Sequence, residues 1–159
     1  MNHISKFLYL SVFVSLVFVT ACKKDDPDPE PEVVPGEALR GTWVATQDNA
    51  VTGPAADQFA NFSITITPTA DQVSYTTNVA EIQGDPLVFP ASGTFIVDAT
   101  DNFQTGAEVL RETDDVSINM DLSEDGNVLT MNFTIAVDAV VNGRVAGING
   151  EYTFILNKQ

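Results

Sequence analysis

The residues best suited to catalysis are scarce in this chain and lie near its start. The only cysteine is Cys22, and the only histidine is His3. Hydrolases need a nucleophile beside a general base, and zinc and haem sites draw mainly on cysteine and histidine. No glycine-rich phosphate loop stands between a predicted strand and a helix either. We therefore expect no enzymatic activity and no cofactor in the chain that follows Cys22.

Carboxylates are the abundant groups that are able to bind an ion. Two acidic pairs fall in predicted turns, Asp98 with Asp101 and Asp114 with Asp115. Calcium prefers carboxylate and carbonyl oxygens on flexible loops, so these four residues are calcium candidates. Neither pair has the spacing of an EF-hand or of a nonapeptide repeat. Ordinary turn chemistry on a solvated surface is the favoured interpretation, and we expect no metal site.

Cys22 ends an N-terminal segment that has the layout of an export signal. Lys6 precedes an apolar run over residues 7–21. The last three residues of this run and Cys22 form the tetrapeptide VTAC. As a helix this run spans only about 22 Å, which is short of the roughly 30 Å hydrocarbon core of a bilayer. A signal peptide over residues 1–21 is therefore favoured over a permanent transmembrane helix.

The tetrapeptide resembles the lipobox of bacterial lipoproteins, and this resemblance implies a role for Cys22. In such proteins the cysteine is lipidated and becomes the first residue of the mature chain. Two or three acyl chains on one residue make detachment from a membrane negligible. We expect a membrane anchor at Cys22, and with its thiol consumed no disulfide in the rest of the chain.

Residues 22–36 have the composition of a solvated tether. Prolines are frequent, no period is able to bury a face, and the run KKDD follows Cys22 directly. This run resembles the lysine-plus-acid export signal of surface lipoproteins in Bacteroidota, which implies an outer-membrane location, with the outward-facing leaflet favoured. The formal net charge of −15 at pH 7 disfavours nucleic acid as a partner.

Residues 37–159 have the length and pattern of one all-β domain. Apolar and polar residues alternate over two hairpins, residues 61–79 and 116–137, which predicts half-buried antiparallel strands. One helical turn is expected at 54–59. The other predicted strands, for about nine in total, are 39–46, Val88 with Phe89, 94–97, 108–111 and 151–156, and Asn142-Gly143 suits a turn between 137–141 and 144–148.

The apolar faces of these strands predict the core. Trp43, with Gly41 beside it, is interpreted as core packing at one end of the domain rather than as a stacking platform for a ligand. The apolar stripe of the two hairpins is likewise interpreted as core rather than cavity lining, and it comprises Phe62, Ile64, Ile66, Leu129, Met131, Phe133 and Ile135.

The motif Gly41-Thr42-Trp43 and the last strand GEYTFIL at 150–156 resemble the lipocalin-like domains found behind lipoboxes in bacterial surface proteins. In lipocalins the tryptophan caps the closed end of a barrel beneath an arginine from the last strand, and the cup binds a small hydrophobic molecule. This chain departs from that pattern. Its last predicted strand has no arginine, Lys158 follows that strand, and Arg144 precedes it.

Two architectures satisfy the strand pattern, because an open sheet of this size would expose long edges. An antiparallel meander closed as a lipocalin-like β-barrel suits a lipid-anchored, non-catalytic protein that binds a small apolar ligand or has a structural role in the envelope. An immunoglobulin-like two-sheet sandwich suits a surface adhesion or glycan-complex accessory module with other surface proteins as partners. Pairing of the first strand with the last distinguishes the barrel from the sandwich.

Overall fold

The computed structural model describes residues 33–136 and 147–159, which belong to a compact unit, Glu32–Gln159. Nine strands form one sheet. The helices in these ranges are short: the α-helix α1, Val79–Ile82, and two 3-10 helices, Glu37–Leu39 and Ala56–Phe59. The strands are β1 Gly41–Val44, β2 Val51–Thr52, β3 Ser63–Pro68, β4 Val73–Thr77, β5 Ser92–Ile96, β6 Ala107–Arg111, β7 Val116–Leu122, β8 Val128–Ile135 and β9 Gly150–Lys158.

The sheet closes on itself as a barrel. From β3 to β9 each strand pairs antiparallel with the next in sequence, and β1 pairs with both β3 and β9. Trp43 lies opposite Ile64 on one side and opposite Lys158 on the other. The predicted antiparallel, lipocalin-like barrel is therefore confirmed. The alternative prediction of a two-sheet sandwich is wrong, because the first and last strands pair within a single sheet.

The short strand β2 lies outside the barrel succession and was not predicted. It pairs with β9, with Val51 opposite Phe154 and Thr52 opposite Thr153. The other edge of β9 is taken by β8 over residues 150–157. Because a strand has only two edges, β1 and β2 share the same edge of β9 and are separated by the loop 45–50.

Alternating burial along the strands forms the core. In β3, Ile64 and Ile66 are buried, whereas Thr67 is exposed. Strands β7 and β8 repeat the pattern, and the buried Ile118 lies opposite the buried Phe133. Inward-facing side chains fill a barrel of this size. Both predicted hairpins are confirmed, and so is the core stripe, since all of its members are buried: Phe62, Ile64, Ile66, Leu129, Met131, Phe133 and Ile135.

The predicted strand at Val88 and Phe89 is wrong. Both residues are buried, but they lie in a turn between α1 and β5. Pro86 and Pro90 flank them, and proline has no backbone N–H to donate to a strand ladder. Their apolar character therefore indicates burial inside the barrel rather than a strand.

The first predicted hairpin ends slightly earlier than its alternation implies, since Val79 begins α1. Asn78 explains this end. Its side-chain oxygen accepts from the backbone N–H of Ser63 at 2.8 Å, and its amide donates to the carbonyl oxygen of Asn61, also at 2.8 Å. These side-chain bonds replace the next rungs of the ladder between β3 and β4.

Three smaller predictions have mixed outcomes. The helical turn expected at 54–59 is confirmed by the 3-10 helix Ala56–Phe59. The first strand, predicted over 39–46, is shorter because Leu39 belongs to a 3-10 helix. The ribbon predicted around Asn142-Gly143 falls mainly on residues 137–146, outside the described residues.

Candidate functional site

The antiparallel order gives the barrel two different ends. At the loop end lie the long connections 45–62 and 78–91, and the short connection 112–115. At the closed end lie the segment 36–40 and the connections 69–72, 97–106 and 123–127. The chain therefore enters the barrel at the closed end, and the longest described loops lie at the opposite end.

Trp43 is fully buried at the closed end. Its indole N–H donates to the carbonyl oxygen of Leu39 at 2.8 Å. The Nζ atom of Lys158 lies 5.2 Å from the centre of the tryptophan ring, within the range of a cation–π contact. Lys158 is the last residue of β9 and not a residue beyond the final strand. A cation from the last strand therefore covers the tryptophan, although it is a lysine and not an arginine.

The segment before β1 seals the same end. Leu39 is fully buried, and a guanidinium nitrogen of Arg40 donates to the carbonyl oxygen of Pro68 at 2.7 Å. Gly36 has a φ of 67° and packs so closely that an added Cβ would lie 3.1 Å from a methyl group of Val73. The exposed pair of Glu37 and Arg40, 2.6 Å apart, lowers the pKa of Glu37 through their side-chain hydrogen bond.

Aromatic rings fill the middle of the barrel and its loop end. Phe62 lies 4.9 Å from Phe154 and 5.1 Å from Phe89, measured between ring centres. Phe133 lies 5.4 Å from Phe154 and 5.5 Å from Tyr152. The Phe133–Tyr152 pair is stacked, and the other three pairs are tilted or edge-on. Contacts of these kinds at these separations are favourable for aromatic pairs. The rings that a ligand cup would keep apart are therefore packed against each other.

Arg111 is a charged residue buried inside the barrel, with an exposed fraction of 0%. Its Nε and Nη2 donate to the two carboxylate oxygens of Asp114 at 2.8 and 2.7 Å. Its Nη1 donates to the carbonyl oxygen of Val88 at 3.1 Å. The guanidinium carbon lies 4.8 Å from the ring centre of Phe89 and 5.6 Å from that of Phe133. Each guanidinium nitrogen thus has a hydrogen-bond acceptor, and two aromatic rings lie within cation–π distance of the cation.

The burial of Arg111 was not predicted, although the sequence carries a signal for it. Ala107 and Val109 face inward in β6, and the two-residue period of a strand places Arg111 on the same side. Its partner Asp114 was predicted only as a calcium candidate. The pairing depends on a tight turn after β6, which alternation does not encode.

Tyr75 contributes a buried hydroxyl near this cluster. The oxygen has no hydrogen-bond partner within the described residues, and burial raises the pKa of Tyr75. The Thr113 hydroxyl lies nearby: a Cβ added to Gly93 would stand 2.6 Å from the Tyr75 oxygen and 2.5 Å from the Thr113 oxygen. Gly93 therefore makes room for two polar groups at the loop end.

The four calcium candidates are not brought together. Asp98 and Asp101 lie in a closed-end loop, and Asp114 and Asp115 in a loop-end turn. Asp98 accepts from the backbone and hydroxyl of Thr100 at 2.8 and 2.6 Å, which lowers its pKa. Over residues 33–136 and 147–159 no group of three or more acidic, histidine or cysteine side chains is placed to hold a metal ion.

The predicted anchor lies outside the described residues. Cys22, the run KKDD and the signal segment 1–21 precede residue 33, so lipidation remains a prediction. In the part of the chain that the structure describes, no helix is long and apolar enough to cross a membrane.

Comparisons with protein-family models, with curated proteins and with solved structures give no match. The candidate sites are therefore defined by the residues of this chain alone. They are the sealed closed end around Trp43, the filled interior, and the loop end held by Arg111.

Proposed function

We propose that this protein is a lipid-anchored, non-catalytic lipoprotein of the bacterial outer membrane whose barrel serves as a rigid display scaffold in the envelope. The sequence around Cys22 supports the anchor, and the tether 22–36 supports a domain held away from the bilayer. In this role the barrel is a rigid folded body, and the outer surface of the barrel carries its function.

The observation that carries this role is the filled interior. The rings of Phe62, Phe133 and Phe154 occupy the space in which a lipocalin-type cup would hold its ligand. Arg111 closes the loop end of the same core with an exposed fraction of 0%. A small apolar ligand would have to displace close-packed side chains, which costs several kcal/mol of lost contacts. Of the two roles expected for a lipid-anchored lipocalin-like barrel, ligand binding and a structural role in the envelope, the structural one is favoured.

The anchor is tested by metabolic labelling with a radioactive fatty acid in a bacterium that processes lipoproteins. The wild-type chain should incorporate label, and the Cys22→Ser chain should incorporate none and retain its signal segment. Because Lys23 directly follows the modified residue, Lys23→Ser is a matched control that should still be labelled. Label in the Cys22→Ser chain would overturn the anchor.

The second part of the proposal is tested by titrating the unlipidated mature chain, residues 22–159 with Cys22→Ser, with a fluorescent long-chain fatty acid. A filled barrel should give no saturable binding. As a positive control for the method, Phe154→Ala removes a ring from the centre of the core and should create an apolar cavity. Saturable, stoichiometric binding to the chain that retains Phe154 would favour the ligand-binding role instead.

A further inference from the structure

An apolar groove lies at the loop end, outside the sealed core. It has a volume of about 500 Å³, and its walls are the loop 85–90, the turn after β6 and the adjoining ends of β7 and β8. Leu87 stands in the first wall with half of its surface exposed (50%). The groove is lined by Pro86, Leu87, Pro90, Thr113, Asp114, Val116, Ile135 and Ala136.

The two walls of this groove are held at a fixed distance by the buried cation between them. Arg111 donates to the carbonyl oxygen of Val88 in the first wall and to the carboxylate of Asp114 in the second. The first wall is secured further by the hydroxyl of Thr77, which donates to the carbonyl oxygen of Pro90 at 3.0 Å. A groove held in this way loses little conformational freedom when it binds a partner.

Within residues 33–136 and 147–159, the exposed charges at the loop end have one sign. Among the described basic residues, Arg40 and Lys158 lie at the closed end, and Arg111 is buried and paired. The described acidic residues of the loop-end connections and of the groove wall are Asp48, Asp57, Glu81, Asp85, Glu112, Asp114 and Asp115. Asp114 lines the groove, and Asp85 and Asp115 adjoin its lining residues in sequence. An apolar groove beside these carboxylates is complementary to an apolar side chain flanked by cations.

We propose that this groove docks a segment of a partner polypeptide in which an apolar side chain is flanked by lysine or arginine. The inference extends the proposed function, because the tether joins the domain at the closed end and leaves the groove at the opposite end. A small molecule is disfavoured, since Leu87 is open to water and the groove would not enclose a small ligand. A second copy of the chain is disfavoured by a net charge of −15 on each partner.

The test uses the mature chain, residues 22–159 with Cys22→Ser, and three capped peptides, KKLFKK, KKSSKK and EELFEE. Binding is measured by isothermal titration calorimetry at low and high salt. KKLFKK should bind measurably, and the other two should bind at least about tenfold more weakly, because one lacks the apolar anchor and the other has the wrong charge. High salt should weaken binding of KKLFKK without abolishing its preference over KKSSKK.

Two pairs of variants locate the site. Leu87→Ser should weaken binding of KKLFKK about tenfold. Ile96→Ser should leave it unchanged, because Ile96 is 55% exposed and ends β5 on the closed-end side. Asp115→Asn should weaken binding, whereas Asp71→Asn at the closed end should not. Asn tolerates the φ of 56° at position 115, so the turn should persist.

Several results would overturn the proposal. Equal binding of KKLFKK and KKSSKK would show attraction by net charge alone, and equal effects of Leu87→Ser and Ile96→Ser would place any apolar contact elsewhere. Self-association that depends on Leu87 would identify a second copy as the occupant. Binding of KKLFKK that appears only after residues 137–146 are replaced by a Gly-Ser linker would identify the chain's own segment as the occupant. None of these assays involves lipidation at Cys22, so their failure is distinct from failure of the anchor.

Discussion

The ammonium group of Lys158 lies 5.2 Å from the centre of the Trp43 ring, at the seam where the last strand meets the first. The two residues are direct register partners between β9 and β1. On its other side the indole N–H donates to the carbonyl oxygen of Leu39. The ring is therefore held by the final strand and by the segment that precedes the barrel, so that one residue contacts both the barrel seam and the segment that seals the closed end.

Replacing Lys158 tests the cation–π contact at this seam. Lys158→Ala should lower the free energy of unfolding by about 0.5–1 kcal/mol, the range for such contacts at exposed sites. Lys158→Arg should retain most of the stability, and Lys158→Met should show what the aliphatic part contributes. Urea unfolding followed by the fluorescence of Trp43, the single tryptophan, measures all three. Equal losses in the Arg and Ala variants would exclude a role for the charge.

The direction of side chains in the two hairpins is tested by pairs of neighbours. Ile64 and Phe133 are buried, so truncation of either to alanine should cost about 2–5 kcal/mol. Thr134 is exposed, and its alanine variant should stay within about 0.5 kcal/mol of the wild type. Urea unfolding measures each variant. A loss at Thr134 as large as that at Phe133 would show that the strand register is wrong.

Thr65 is the instructive exception among the outward-facing residues. Its hydroxyl shares a hydrogen bond of 2.9 Å with the hydroxyl of Thr42 in β1. Thr65→Ala should therefore cost about 0.5–1.5 kcal/mol, the usual net value of one hydrogen bond. A Thr65→Ala, Thr42→Ala double-mutant cycle separates this bond from other effects, and a coupling energy of zero would show that the bond contributes nothing.

The buried ion pair makes an asymmetric prediction. Arg111 has no exposed surface, whereas the side chain of Asp114 is 32% exposed. Asp114→Ala leaves a buried cation without its carboxylate and should cost about 3–5 kcal/mol. Arg111→Met fills similar space and leaves a carboxylate that can reach water, so it should cost clearly less. Chemical denaturation of both variants ranks them, and a larger loss in the Met variant would contradict the interpretation.

The tyrosines allow a pH test. Tyr75 and Tyr152 are the tyrosines beyond residue 32, and burial raises the pKa of each above the ordinary value of 10.0. The native state therefore holds these protons more tightly than the unfolded chain does. The resulting stability is complete below pH 10.0 and is lost as the pH rises towards the folded pKa values.

An alkaline titration read by absorbance at the phenolate band measures both groups in the chain from residue 33 onward. The absorbance should rise later than that of a blocked tyrosine amide and in step with unfolding. Tyr75→Phe and Tyr152→Phe separate the two contributions. Titration of both groups at the ordinary value, with the barrel still folded, would show that they are not buried.

Local pattern was enough to predict much of the barrel. The alternation of Ile64 and Ile66 with threonines encodes a half-buried strand whatever the rest of the chain does, and the same holds for Met131 and Phe133. By contrast, Val88 and Phe89 are apolar in the same way, yet they enter the core from a turn. A run of only two apolar residues is too short for periodicity to distinguish a strand from a buried turn.

The contacts of the candidate sites depend on distant parts of the chain. Arg111 is matched by Val88, which belongs to another loop, and Lys158 reaches Trp43 only because the barrel closes. Strand closure fixes such partners, whereas a sequence pattern shows only which residues face inward. The sequence therefore predicted the burial of the tryptophan. It did not predict the contacts of the two cations, Arg111 and Lys158, with the core rings.

The filled interior is tested most directly by native mass spectrometry of the mature chain, residues 22–159 with Cys22→Ser, exported to a bacterial periplasm behind a cleavable non-lipoprotein signal peptide and purified without detergent. We expect the mass of the bare polypeptide, because Phe62, Phe89, Phe133 and Phe154 occupy the centre of the barrel. A stoichiometric small-molecule adduct, released on collisional activation and replaced by added fatty acid, would contradict this and would show that the barrel is a ligand-binding cup.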